Sequence, residues 1–254
     1  MSVSFKDGCL QFSDDMHGVH GNYIGRQDIK EVILPVDLKS LQYYRDTTFG
    51  KSSVEKVTFR EGTTKIPAYF FERFPDEDGE EYTPFYECDG LKEVKLPSTL
   101  KEIGEYAFSY SPIEKIIIPD GIEEIEDFAF CACEKLKNVD LPSTLKEISW
   151  GVFSRTGLTK VIIPEGVEKI DGNAFLYCDK LEEVKLPSTL KEIGEGAFAY
   201  CPNLKEVVVS KDTIIDPDAF DANCMVVRDD GQNLDPTLDF DGDIGDDDPG
   251  DIGD

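Results

Sequence analysis

Hydrophobic positions recur along most of the chain with one spacing. The heptapeptide PSTLKEI occurs at 97–103, 142–148 and 187–193, so successive copies are 45 residues apart. Residues 113–133 and 158–178 follow the same template between those copies. The repeating unit is therefore 22 or 23 residues long and has two alternating versions. Its common pattern is L-x-x-V-x-L-P-x-x-L-x-x-I-x-x-x-A-F-x-x-C.

Three further segments, 29–41, 54–66 and 204–224, fit the template with more departures, which gives eight units over 29–224. The second of these departs most, because an insertion within 67–84 separates its strand from its F-x-x-C, which we place at Phe85 to Cys88. An insertion in one unit of a regular solenoid usually forms a loop on one face.

Each part of the unit predicts an element. The L-x-x-V-x-L part alternates like a strand, the Pro ends its hydrogen-bond ladder, and L-x-x-I forms the returning side of the coil. Stacked units would place these strands in a short parallel sheet on the concave face. The fold class is then a leucine-rich-repeat-like solenoid of mostly β and irregular structure. The phenylalanines of the A-F pairs should stack into a core ladder, comprising Phe108, Phe130, Phe153, Phe175 and Phe198.

The two ends do not follow the repeat. Residues 1–28 are predicted to be an N-terminal cap, in which SVSFKDGCLQF forms a hairpin over the first unit. Residues 225–254 contain eleven Asp and few apolar residues, which predicts an acidic, disordered tail.

The repeat with its terminal A-F-x-x-C resembles the BspA-type leucine-rich repeat family. The resemblance covers about three-quarters of the chain and implies a solenoid fold. Members of that family are mostly bacterial or protist proteins implicated in adhesion and protein–protein contact. The resemblance thus favours the cell surface, whereas the first residues, MSVSFKDGCLQF, have no apolar signal segment and favour the cytoplasm.

Charge narrows the choice of partners. The chain has 26 Lys and Arg against 53 Asp and Glu, a formal net charge of −27. A field of that sign repels nucleic acids and anionic membranes, and no segment is apolar enough for membrane insertion. We therefore expect a protein or glycan ligand, and a chain that is itself a monomer.

Catalytic chemistry has little support in the sequence. The two histidines, His17 and His20, lie in the cap near Asp14 and Asp15, where a polar loop is more common than a metal site. The segment from Asp239 lacks the Gly and Glu of a calcium loop. No nucleophile, dinucleotide or phosphate-loop motif is present. The sequence thus predicts no enzyme, no cofactor and no metal. The cysteines that end the units are predicted to be buried free thiols.

Outward positions of the sheet are the candidate site. One row alternates in charge, which supports cross-strand pairing. The second mixes β-branched apolar residues with polar ones, either because a partner covers it or because strand propensity selects Ile. That second row is Ile33, Thr58, Lys95, Ile117, Asp140, Ile162, Lys185 and Val208. The insertion adds a second candidate element, formed by Asp76, Glu77, Asp78, Glu80, Glu81 and Tyr82. The predicted function is a non-catalytic binding module, and the alternative is a structural spacer or stalk without a ligand of its own.

Overall fold

Strands stacked one above another build the molecule. The computed structural model describes residues 3–13, 23–38, 49–71, 83–85, 87–231 and 233–234, and every regular element in these ranges is a strand. The first stack, here called the front sheet, holds one strand of three or four residues per unit. Its strands are β3 (Glu31–Ile33), β4 (Lys56–Thr58), β6 (Glu93–Lys95), β8 (Lys115–Ile117), β10 (Asn138–Asp140), β12 (Lys160–Ile162), β14 (Glu183–Lys185), β16 (Glu206–Val209) and β18 (Met225–Arg228).

A second stack, the back sheet, comes from the L-x-x-I part of the units. Its two-residue strands are β5 (Lys65–Ile66), β7 (Glu102–Ile103), β9 (Glu124–Ile125), β11 (Glu147–Ile148), β13 (Lys169–Ile170), β15 (Glu192–Ile193) and β17 (Ile214–Ile215). Within each hydrogen-bonded block of the two stacks, neighbouring strands pair in parallel, with equivalent template positions opposite each other. The predicted β-solenoid of eight units with a parallel sheet is thereby confirmed.

Strand pairing is not continuous along either stack. The front sheet is hydrogen-bonded in three blocks, with breaks between β10 and β12 and between β14 and β16. The back sheet breaks once, between β9 and β11. At that break the hydroxyl of the buried Ser149 donates to the Ile125 carbonyl. A side-chain hydrogen bond thus links the two blocks where the backbone ladder is interrupted.

The core between the two sheets is a column of aromatic rings. Successive phenylalanines of the A-F pairs stack with ring centroids 5.0–5.5 Å apart and ring planes within 17° of parallel. Each ring from Phe108 to Phe198 is at most 1% exposed. The structure therefore confirms the predicted ladder, and Phe220 of the eighth unit extends it.

The first five residues of the predicted insertion, 67–71, belong to the repeat. Phe71 donates its backbone N–H to Ala107, and its ring stacks on Phe108 at 4.8 Å, so it fills the A-F position towards the third unit. Phe85 occupies the same position on the side that contacts the first unit. There the Pro84 carbonyl accepts a hydrogen bond from the Phe49 backbone N–H, and the rings of Phe85 and Phe49 stack at 4.9 Å. This unit thus contributes two rings to the ladder, and residues 67–71 continue the repeat.

The N-terminal hairpin forms as expected. β1 (Val3–Lys6) and β2 (Cys9–Phe12) pair antiparallel around Asp7 and Gly8, both at positive φ. Such values suit the type I′ turn of a two-residue hairpin loop. β2 then pairs in parallel with β3 and extends the front sheet by one strand.

The boundary of the acidic tail at residue 225 is wrong. β18 pairs in parallel with β16 as a ninth front strand, and β19 (Asn233–Leu234) pairs antiparallel with β18. Val226 is buried, because Met-Val-Val-Arg alternates like the strands before it. The carboxylates that follow these four residues in the sequence obscured that strand. Residues 235–254, for which disorder is predicted, lie outside the described residues.

Candidate binding surface on the front sheet

The front sheet presents two rows of outward side chains. In β8 the central Ile116 is 3% exposed, whereas Ile117 beside it is 68% exposed. This alternation follows from the two-residue period of a strand, and it recurs in the other front strands. The structure therefore places every predicted second-row residue on one face, and equivalent residues lie opposite each other where neighbouring front strands pair.

The second row is apolar on alternate strands. Ile162 and Val208 are 53% and 52% exposed and, with Ile117, are separated by the charged residues Asp140 and Lys185. Because neighbouring strands lie about 4.8 Å apart, these apolar side chains recur about every 10 Å. Ile33 and Thr58, at the N-terminal end of the row, are only half-buried rather than fully exposed. The apolar stripe is thus most open over the fourth to eighth units.

The ninth strand extends this surface beyond the predicted residues. Val227 lies opposite Val208, and Met225, opposite Glu206 in the first row, is 44% exposed. An apolar patch therefore forms at the C-terminal end of the front sheet. The M-V-V-R alternation was the signal that could have revealed it.

Opposite charges pair along the first row. The Lys56 ammonium lies 3.3 Å from Glu31, and that of Lys160 lies 2.8 Å from Glu183. The hydrogen bond from Lys160 lowers the pKa of Glu183 below its ordinary value. The sixteen outward positions of the eight predicted strands hold five lysines and five carboxylates. The front sheet is thus electrically balanced in a chain of net charge −27.

A stack of partly exposed aromatic rings lies beside the A-F turns. Tyr69, Tyr106 and Phe128 stack with centroids 5.2 and 4.9 Å apart, and Tyr69 is 43% exposed. Their faces cover one another, so the stack offers mainly ring edges to a ligand. The acidic insertion residues from Asp76 to Tyr82 lie outside the described residues, so their place relative to this stack stays open.

Within the described ranges no group of three or more His, Cys, Asp or Glu side chains is arranged to hold a metal ion. His17 and His20 fall outside those ranges. No helix suited in length and apolarity to crossing a membrane occurs in the part of the chain that the structure describes.

Comparison with solved structures gives the same fold. A leucine-rich repeat protein from Bacteroides ovatus is 24% identical, with a TM-score of 0.60 over 74% of this chain and 45% of that one. One from Eubacterium ventriosum is 20% identical, with a TM-score of 0.59 over 84% and 58%. The T. pallidum leucine-rich repeat protein is 20% identical, with a TM-score of 0.54 over 80% and 86%. The chain thus spans about half the length of the first two.

No curated protein matches the sequence significantly. The family model of the BspA type leucine rich repeat region matches six copies, over residues 21–76, 81–179 and 102–226. These ranges include most of the solenoid and both versions of the unit. The chain therefore belongs to the BspA-type leucine-rich repeat family.

Proposed function

We propose that this chain is a non-catalytic binding module that recognises a protein or glycan partner through the front sheet. The observation that carries the proposal is the apolar stripe of Ile117, Ile162 and Val208, each more than half exposed. Parallel sheets normally have both faces covered, so an open face with an apolar stripe suits a partner.

Electrostatics support the same face. A surface with balanced charges neither repels an acidic partner nor needs a basic one, unlike the rest of this acidic molecule. Its alternating lysines and carboxylates can orient a partner, while the apolar stripe contributes burial. A role without catalysis is favoured because catalytic groups are tuned in clefts, whereas these carboxylates line an open sheet.

Substitution of the stripe tests the proposal. The triple variant Ile117→Glu, Ile162→Glu, Val208→Glu should fold, because exposed positions tolerate charge at a cost of about 0.5 kcal/mol each. In an interface the same carboxylates would be desolvated without partners and would weaken binding about a hundredfold or more. Ile214→Glu is the matched control, since Ile214 is 73% exposed on the back sheet.

The immobilised full chain is used to capture proteins from an extract and to screen a glycan array. Loss of a ligand by the triple variant, with retention by the Ile214→Glu control, is the expected result. If the triple variant folds and keeps every ligand of the parent, the front-sheet proposal is wrong. A parent chain that captures no ligand would instead favour the spacer role.

A further inference from the structure

The N-terminal end of the front sheet is open. β1 is the last strand of the sheet at this end, and it pairs with β2 on one edge only among the described residues. All four of its residues are exposed. The backbone groups on the outer edge of such a strand are available to another strand.

The apolar residues of β1, Val3 and Phe5, project to the core side of the sheet although they are not buried there. Val3 lies opposite Phe12 and Phe5 opposite Leu10, and both partners are buried in the core. Opposed residues of an antiparallel pair project to the same face, so Val3 and Phe5 also project towards the core side. They remain 40% and 46% exposed, even though the Arg26 guanidinium lies 5.7 Å from the Phe5 ring. The core beneath them is buried, with Phe12 at 0% and Leu10 at 4% exposure, so the partly exposed apolar surface at this end is that of β1 itself.

We propose that two copies of this chain associate head to head by pairing β1 with β1 of the second copy, antiparallel and centred on Ser4. In that register Val3 opposes Phe5 of the other copy, so apolar side chains meet on the core side. Ser4 opposes its own counterpart on the front side. The strand is therefore self-complementary, as an interface with two-fold symmetry requires.

Hydrogen-bond geometry agrees with this register. The two-residue turn at Asp7 and Gly8 makes Lys6 and Cys9 a hydrogen-bonded pair, so Ser4 and Gln11 form the next one. The N–H and C=O groups of Val3 and Phe5 then point to the free edge. Pairing around Ser4 joins those groups in two rings of hydrogen bonds, one on each side of the axis.

The distribution of charge along the chain favours association through the N-terminal end. Residues 1–71 contain nine Lys or Arg and nine Asp or Glu, so the N-terminal part is neutral. The whole net charge of −27 lies in residues 72–254. Head-to-head pairing joins the neutral ends and keeps the acidic parts of the two copies apart, whereas pairing through the C-terminal ends would oppose like charges. This assembly departs from the monomer that the sequence predicts.

Sedimentation equilibrium of the full chain, with any tag at the C-terminal end, measures the association. A four-residue strand makes a small interface, so we expect a dissociation constant on the order of tens of micromolar. The mass should rise from 28.4 kDa towards twice that value as concentration increases. Phe5→Glu should raise the dissociation constant at least about tenfold, and Ile214→Glu should leave it unchanged. A mass of 28.4 kDa at every concentration up to about 500 µM would overturn the proposal.

A cross-linking variant covers the possibility that Phe5→Glu disturbs the hairpin itself. In the proposed register the two Ser4 Cα atoms are about 4.5 Å apart, which suits a disulfide. With oxidised glutathione as the oxidant, Ser4→Cys should form a covalent dimer. The parent and Ser143→Cys, which places a thiol on an exposed turn, should not. Equal cross-linking in all three proteins would contradict the register.

Discussion

At the scale of single residues, the last position of the units holds a buried Cys, Ser or Thr. The thiol of Cys133 donates to the Phe108 carbonyl of the preceding unit at 3.0 Å, and Cys178 donates likewise to Phe153 at 3.2 Å. Thr156 donates to the same Phe153 carbonyl at 2.9 Å from within its own unit. The position thus holds a small buried side chain, and the thiols of Cys133 and Cys178 use it to join neighbouring A-F turns. Ser111 is buried at the same position without a hydrogen-bond partner for its hydroxyl.

Phe175→Ala tests the aromatic core. The ring is fully buried between Phe153 and Phe198, so its removal should cost about 3–5 kcal/mol in transfer and cavity terms. Chemical denaturation measures the loss. Tyr200→Ala is the control, because Tyr200 stacks on Tyr177 but is 47% exposed, and about 1 kcal/mol is expected for it. Equal losses for both variants would mean that the inward face is misassigned.

The thiols should be free and unreactive in the folded protein. All seven cysteines are reduced, and burial raises the pKa of both Cys88 and Cys131 to about 11. These thiols are therefore protonated at pH 8, and the thiolate needed for reaction is scarce. A thiol reagent should label seven groups rapidly in denaturant and the buried ones slowly in buffer, with no change of Tm on adding reductant. A reductant-sensitive Tm would reveal a disulfide.

Backbone conformation at the turns was not predictable from the template. In the regular units the residues before the A-F pair and before the final Cys, Ser or Thr adopt positive φ, as at Tyr106 and Tyr110. Side chains at these positions range from Tyr to Arg and Gly, so they appear as variable letters in the pattern. A left-handed conformation imposed by packing leaves a sequence signal only where Gly occupies it.

At the scale of elements, side-chain contacts join the turns that follow neighbouring front strands. The Glu165 carboxylate accepts from the Ser188 backbone N–H and hydroxyl of the next unit, at 3.2 and 3.1 Å. Thr189 accepts from the Gly166 N–H and donates to the Val167 carbonyl. The P-E-G turn at 164–166 therefore caps the P-S-T-L turn at 187–190, and Glu61 makes the same contacts with Ser98 of the unit after it.

Thr189→Val should weaken this coupling. The substitution keeps the shape but removes hydrogen bonds of 3.0 and 2.8 Å, at a cost of about 1 kcal/mol. Thr159→Val, at another exposed threonine, should change stability by less than about 0.5 kcal/mol. Urea denaturation compares the two variants. A Thr189 variant as stable as the Thr159 variant would show that these bonds add nothing to the stack.

Truncation separates the ninth strand from the acidic tail. Deleting 235–254 removes nine Asp and should change stability by less than about 0.5 kcal/mol. Deleting 225–254 also removes β18, with the buried Val226 and two hydrogen bonds from Arg228, and should cost at least about 2 kcal/mol. Thermal denaturation of the two truncated chains measures the difference. Equal stability would show that β18 is dispensable.

The repeat predicted elements well where the template is strong and poorly where one unit departs from it. All eight front strands and the Phe108–Phe198 ladder follow from spacing alone, because stacking needs the same apolar positions in every unit. The double ring contributed by Phe71 and Phe85 was missed, since two segments of the chain share one template position. The ninth strand was missed because its neighbours in sequence are carboxylates.

At the scale of the whole molecule, a continuous core holds a row of outward positions on one face of the front sheet. The second row was predictable as a set, because strand period and template position determine which side chains face out. The degree of exposure of each second-row side chain was not predictable, since Ile33 is half-buried while the equivalent Ile117 is 68% exposed. That difference locates the proposed binding surface over the fourth to ninth front strands.

Lysine protection tests most directly whether the front sheet binds the partner. Lys185 on the front sheet and Lys191 on the back sheet are 61% and 69% exposed, and each lies near one carboxylate, Glu183 and Glu168 respectively. Acetylation of the chain with and without its captured ligand is then compared by mass spectrometry. Protection of Lys185 with continued labelling of Lys191 is the predicted result. Protection of Lys191 with Lys185 still labelled would contradict the account.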